Sequence, residues 1–254
     1  MAAVETARSR VFNKIAVALV LLATIVYLIP LYWIGSTAFK PRAAATTVPP
    51  TVFFQPEVTG FVKLFTKRVQ LRKTVPEETY NEAKWYEKLV YDAGERIITS
   101  SPFLSRFWNS ILIAVTSTFL AVTLGTFTAY GFSRFKVAAE NDWLFFILST
   151  RMLPPVVVAI PIFLMFRTIG LVDSHIGLIL LYTAFNLSFC VWLMKGFMDE
   201  IPIEYEEAAL VDGYTRFETF WKIVLPQSAT GIAATSVFSF IIAWNEYALA
   251  LMMT

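Results

Sequence analysis

Few side chains in this chain have types and spacing suited to chemistry. Asp173, Ser174 and His175 are adjacent, and His175 is the single histidine. A nucleophilic triad needs these groups brought together from separate elements. As neighbours they fit a helix start better, with Asp173 or Ser174 accepting a first-turn N–H. There is no H-E-x-x-H run, and Cys190 is the lone cysteine, so neither a zinc site nor an internal disulfide is expected. There is also no G-x-x-x-x-G-K-[ST] run, so the chain has no phosphate-cradling loop of its own. Catalysis is therefore the weakest reading.

Binding and mechanical work are better supplied. Trp244-Asn245-Glu246-Tyr247 falls inside an apolar run, and an ionisable residue at membrane depth points to function. An amide, a carboxylate and two rings suit a polyol, with hydrogen bonds at its edges and stacking on its faces. Packing between helices, or hydration of Glu246 near the interface, is the plainer alternative, and both stay open. Arg151 is expected to reach the cytoplasmic boundary by extending its stem, rather than to line a pathway.

A second concentration of polar residues is EYEEAALVDGYTRFETFWKIVLPQS, 204–228. Pro202 suits a first helical turn, where its missing N–H has no role. Asp212-Gly213 stops that helix, glycine supplying the left-handed residue of a C-terminal cap. Thr215-Arg216-Phe217-Glu218 reads as a capping box that starts a second helix. That helix is expected to end before Pro226, because proline disfavours a helical residue ahead of it. The result is a helix, a tight bend and a helix.

These groups must be positioned by membrane-length segments. The chain has 254 residues, 57% hydrophobic and 16% charged, with a mean hydropathy of +0.61. A soluble domain would carry about 25% charged residues, so this is an integral membrane protein. The net charge of +2 gives no case for nucleic acid. After a tail at 1–14, a first span is expected at 15–36. Arg8, Arg10 and Lys14 bias that tail to the cytoplasm. A long loop outside follows at 37–106, with a short helix at 76–94 that could pack on the protein, meet a partner or simply be solvated. Further spans are expected at about 107–132, 143–166, 176–194 and 229–249, with prolines 154, 155 and 161 in the third. Counting crossings from an inner N-terminus returns the loop 195–228 to the cytoplasm.

Glu207-Ala208-Ala209, then Gly213, Ile223 and Leu225-Pro226 resembles the EAA signature of permease subunits of ATP-binding-cassette (ABC) importers. Trp108-Asn109-Ser110 and Tyr130-Gly131-Phe132-Ser133-Arg134-Phe135 are similar to that family's start and end of a helix. The Trp244–Tyr247 run resembles its carbohydrate-uptake, maltose-type branch. The resemblance implies an all-α integral membrane fold with a cytoplasmic coupling helix, in a multi-pass subunit of the bacterial inner membrane. It implies coupling roles for Glu207, Ala208, Ala209, Asp212, Gly213, Arg216, Ile223, Leu225 and Pro226. It places Trp244, Asn245, Glu246, Tyr247 and Asn109 on the substrate pathway. No cofactor is expected on this chain, with ATP and Mg held by a partner ATPase. The implied partners are a second, different permease, two ATPase subunits, an external solute-binding protein and a sugar, oligosaccharide or polyol. The family has a sixth span, so a segment missing beyond Thr254 is the expectation. A non-sugar solute, or a membrane scaffold that holds a soluble partner through the hairpin, are the alternatives.

Overall fold

The computed structural model describes residues 7–49, 51–71 and 75–254. Of the expected tail, residues 1–6 and the side chains of Arg8 and Arg10 lie outside the described residues. The chain divides into two compact units, residues 1–104 and 105–254.

In the first unit, α1 (Ala7–Thr37) keeps Pro30 inside an apolar helix of 31 residues. Within the unit none of its apolar stretch is buried; a helix apolar on every side suits lipid or protein surroundings, not water. After it, Lys40 is buried with its ammonium 3.5 Å from the centroid of the Trp33 ring, a cation–π arrangement. Two short helices, α2 (Arg42–Ala45) and α3 (Thr59–Phe65), lead to a hairpin. Its strands, β1 (Thr66–Gln70) and β2 (Glu95–Ser100), pair antiparallel with an irregularity between Lys67 and Arg68. This hairpin departs from an all-helical expectation; Val69, Ile97, Ile98 and Thr99 are β-branched and favour strand.

Between the strands the expected helix at 76–94 is two helices, α4 (Glu77–Glu82) and α5 (Trp85–Asp92). Ala83 takes an extended backbone with ψ of 145°, ending the first. The Lys84 N–H then donates to the Glu87 carboxylate at 2.8 Å, which restarts the chain as a helix. Glu95 closes the hairpin by pairing with Lys63 at 3.3 Å and Arg68 at 3.0 Å.

The second unit is helical throughout its regular structure. It is built on α6 (Phe103–Arg134), α7 (Glu140–Ser149), a 3₁₀ turn at Thr150–Met152, α8 (Pro155–Thr168) and α9 (His175–Asp199). The helices α10 (Glu204–Val211), α11 (Arg216–Thr219), α12 (Leu225–Gln227), α13 (Ala229–Asn245) and α14 (Ala248–Met253) complete it. In the whole chain three described helices are long and apolar enough to cross a membrane, or five spans result if two bent pairs each count as one.

The expected third span, 143–166, is one of those bent pairs, with its halves 95° apart. The break has a local cause. Leu153 precedes Pro154 and is extended, and Pro154 precedes Pro155 and is extended too, as steric crowding before a proline ring demands. Pro155 then opens α8, where a missing N–H does no harm.

Packing within the unit depends on small residues. Ala114, Ser117, Ala121, Gly125 and Ala129 lie buried at three- and four-residue spacing on α6. A Cβ added at Gly125 would come within 2.6 Å of the Cys190 Cβ on α9, so the two helices cross very closely. Helices in lipid gain little from hydrophobicity and associate through such close approach. Gly231 on α13 repeats the device, its missing Cβ lying 2.4 Å from the Phe197 ring. Ser174 caps α9 by accepting the Gly177 N–H at 3.0 Å.

Candidate functional site

The helical hairpin at 204–228 is built from local signals. Gly213 has a φ of +91°, the left-handed conformation that glycine adopts without a Cβ penalty. The Tyr214 N–H reaches back to the Ala209 carbonyl at 3.0 Å. At Thr215 the capping box is complete: Thr215 N–H donates to the Glu218 carboxylate at 3.0 Å, and Glu218 N–H to the Thr215 hydroxyl at 3.3 Å. The same Thr215 bonds hold the Glu218 carboxyl below its ordinary pKa, aided by Lys222.

Pro226 does not end the second helix as expected. The turn before it, Phe220–Val224, is a π-turn, in which the Leu225 N–H bonds the Phe220 carbonyl. Opening the ladder by one residue relieves the clash between a proline ring and the carbonyl four residues back. The helix therefore continues through Pro226 and turns by 70° at Ser228 into α13. Pro202 lies two residues ahead of α10, outside its first turn.

What fastens the hairpin to the spans is a buried ion pair that the sequence reading did not find. Arg134, the last residue of α6, pairs through Nε with Glu206 of α10. Their side chains are only 6% and 7% exposed. The guanidinium also donates to the Ile201 carbonyl at 2.8 Å and to Ser133 at 2.8 Å, and Tyr130 donates to Glu206 at 3.0 Å. Ser133 in turn donates to Asp199 at 2.6 Å, which pairs with Lys195 at 2.7 Å. Phe220, buried in the π-turn, packs on Tyr130 with ring centroids 4.7 Å apart. A sequence signal existed: Glu206 shares an inward helix face with Ala209, three residues on, and a charge on such a face needs a partner.

Of the coupling residues read from the sequence, Ala209 is buried and Ile223 and Leu225 are half-buried. Glu207, Ala208, Asp212, Gly213, Arg216 and Pro226 are exposed. Glu207 and Arg216 line one small cavity of about 210 Å³ beside the Arg134–Glu206 pair. The Arg216 guanidinium sits 5.5 Å from the Phe135 ring centroid. Around these, Tyr205, Val211 and Phe217 are exposed apolar groups.

The structure separates the other group of candidates. Trp244–Tyr247 does not run through a continuous span: α13 stops at Asn245, Glu246 is extended and α14 begins at Ala248. Asn245 donates to the Ile241 carbonyl at 2.8 Å, and the Glu246 carboxylate accepts the Leu249 N–H at 2.9 Å. Trp244 stacks on Phe240 at 5.6 Å and meets the edge of Phe107 at 5.9 Å. Tyr247 and Asn109 are exposed. Trp244, Asn245 and Glu246 build the helix break and its packing, and of the five only Glu246 lines an adjoining cavity. Arg151 differs from its expected place. Its Nη1 donates to the Phe185 carbonyl at 2.8 Å, halfway along α9, and the residue faces that same cavity. Among the described residues there is no cluster of three or more metal-ligating side chains.

Comparison with known proteins gives a consistent result. Residues 121–254 match the family described as binding-protein-dependent transport system inner membrane component. The trehalose transport system permease protein SugB of Mycobacterium tuberculosis is 34% identical over 180 residues, covering 70% of this chain and 66% of that protein. The sulfoquinovosyl glycerol transport system permease protein SmoH of Agrobacterium fabrum is 30% identical over 180 residues, covering 70% and 63%. These matches span just under two thirds of either relative's length. In fold, the chain is similar to a chain in the crystal structure of a bacterial ABC transporter involved in import of the acidic polysaccharide alginate. The TM-score is 0.61 at 22% identity, over 98% of this chain and 76% of the other.

Proposed function

Because the chain belongs to the family of binding-protein-dependent transport system inner membrane components, we propose that it is a permease subunit of an ABC importer for a carbohydrate. In this reading the hairpin 204–228 meets a separate ATPase subunit, which holds ATP and Mg. A second permease completes the pathway, and an external binding protein delivers the solute. The N-terminus then lies in the cytoplasm, on the hairpin's side of the membrane.

The observation that carries the coupling role is the Arg134–Glu206 pair. It ties a hairpin that bears exposed Glu207 and apolar Tyr205, Val211 and Phe217 to the end of a long span. Exposed apolar groups along one hairpin suit a partner's groove. ATP binding on that partner favours one of two arrangements of the complex, and a hairpin fixed to α6 passes the displacement on. Glu207 meets basic or polar groups of the ATPase, and Gly213 keeps the bend. The carbohydrate reading is supported by the named substrates of the two relatives, trehalose and sulfoquinovosyl glycerol.

Purifying the tagged chain in mild detergent tests the assembly: a nucleotide-binding ATPase and a second multi-span permease are expected to come with it, and Glu207→Arg to lose the ATPase. A chain that purifies alone, or uptake that survives its deletion, overturns the proposal in favour of a scaffold. A thermal-shift screen of the cognate binding protein identifies the solute, and stabilisation by amino acids or peptides but by no sugar would remove carbohydrate from the reading.

A further inference from the structure

In the first unit one short helix is apolar on the side that turns away from the β-hairpin. Val58, just ahead of α3, and Phe61, Leu64 and Phe65 within it follow one another at three- and four-residue spacing and share a face. All four are exposed, between 39% and 44%. Lys63 projects from the opposite face, where its ammonium pairs with Glu95 of β2 at 3.3 Å. The hairpin therefore takes the Lys63 side of α3 and leaves the apolar stripe facing outward.

The ends of two spanning helices fix where that stripe sits. The apolar part of α1, Asn13–Thr37, has 25 residues, about 37 Å at 1.5 Å per residue, whereas the hydrocarbon layer of a bilayer is ~30 Å thick. Its end at Thr37 therefore falls at a membrane boundary. Just beyond that end α3 is fastened. The Glu57 N–H donates to the Phe39 carbonyl at 2.8 Å, and a Cβ added at Gly60 would lie 3.2 Å from the Ala38 carbonyl oxygen. The rings of Phe61 and Phe39 are 5.3 Å apart. Further along, Phe65 meets the ring of Phe103 at 5.7 Å. Phe103 opens α6, a second helix long and apolar enough to cross a membrane. The apolar residues of α3 are thus tied to the place where one span ends and the next begins. Water is a poor neighbour for such a stripe, whereas the boundary between headgroups and acyl chains accepts a helix apolar on one side and polar on the other.

We propose that α3 is an interfacial membrane anchor. It lies along the bilayer surface with Val58, Phe61, Leu64 and Phe65 among the upper acyl chains, while Lys63 and the β-hairpin stay on the water side. Lipid is the occupant of this face because the stripe joins, through exposed Phe39, the surface of α1, whose apolar stretch is nowhere buried within the unit. Such an anchor holds the β-hairpin at a fixed height over the membrane. The inference rests on α1 and α6 spanning the bilayer and is independent of the solute and of the coupling role.

The experiment uses the complete transporter in vesicles of phosphatidylethanolamine and phosphatidylglycerol. In a Cys190→Ala background, Phe61→Cys, Leu64→Cys and Phe65→Cys each carry a nitroxide. Electron paramagnetic resonance then reads its collisions with oxygen, which concentrates in lipid, and with a water-soluble nickel chelate. Lys67→Cys, at an exposed position of β1, is the water reference, and Leu22→Cys and Leu28→Cys, exposed on α1, are the lipid references. The ratio of oxygen to nickel collisions at the α3 sites is expected to be several-fold above that at Lys67→Cys. Agreement of two of the three sites decides, so one substitution that disturbs the fold does not. Nickel collisions as frequent as at Lys67→Cys place α3 in water, and few collisions with either reagent place it beneath a second protein; either result overturns the anchor alone. If neither α1 site favours oxygen, the placement of α1 in the bilayer falls and the anchor with it.

Discussion

Glu206 illustrates how much one side chain can decide. It and Arg134 are both nearly buried, so removing one partner leaves the other charge without compensation, at a cost of about 3–5 kcal/mol. Glu206→Ala is therefore expected to lower the thermal unfolding temperature of the purified complex sharply, as followed by circular dichroism. Arg134→Met combined with Glu206→Leu is expected to recover most of that loss, since a buried pair replaced by apolar groups is often neutral in stability. If the double variant is no better than the single, the cost lies elsewhere than in the orphaned charge. The double variant's uptake is also informative, because an apolar pair holds the hairpin without directional bonds. Gly125 carries a different kind of constraint: a side chain there must displace Cys190, and Gly125→Leu is expected to separate α6 from α9 and reduce membrane yield.

The hairpin joins several local devices into one element, and each can be tested locally. Thr215→Ala removes the cap of the second helix, at a cost of about 1 kcal/mol; faster hydrogen exchange at Glu218 and Thr219 would report it, and unaltered exchange would argue against the cap. The pH dependence follows from the direction of the Glu218 shift. Its carboxyl is held below the ordinary value by Thr215, so the charged form is the stabilising one. That contribution is complete above the ordinary carboxylate pKa, about 4.3, and disappears as pH falls through the lower folded value. The protection near Thr215, taken as exchange relative to the intrinsic rate at each pH, is therefore expected to fall in that acidic window and to stay level between pH 6 and 8.

Elements of this kind were legible in the sequence because their causes lie within a few residues: Ser174 before α9, Gly213 in the bend, and the Thr215 box. The ends and breaks were less legible. A proline in sequence reads as a stop, but Pro226 continues a helix because a π-turn precedes it, and the pair Pro154-Pro155 bends a span by 95°. The Arg134–Glu206 pair joins residues 72 apart and has no periodicity of its own.

For the whole molecule, the proposed topology makes a sided prediction. With Glu207 replaced by cysteine in a Cys190→Ala background, a charged, impermeant thiol reagent is expected to react from the face where ATP is supplied and not from the opposite face. Reaction from the outer face only would invert the proposed orientation. The corner at Ser228 then acquires a further meaning. Because α13 leaves it at 70° to the segment Arg216–Gln227, a thrust delivered along that segment is carried across the axis of α13 far more than along it. Under the proposed coupling role the corner would act as a bell crank: a stroke on the hairpin would swing the span that ends at the Glu246 break, tilting it without driving it through the bilayer.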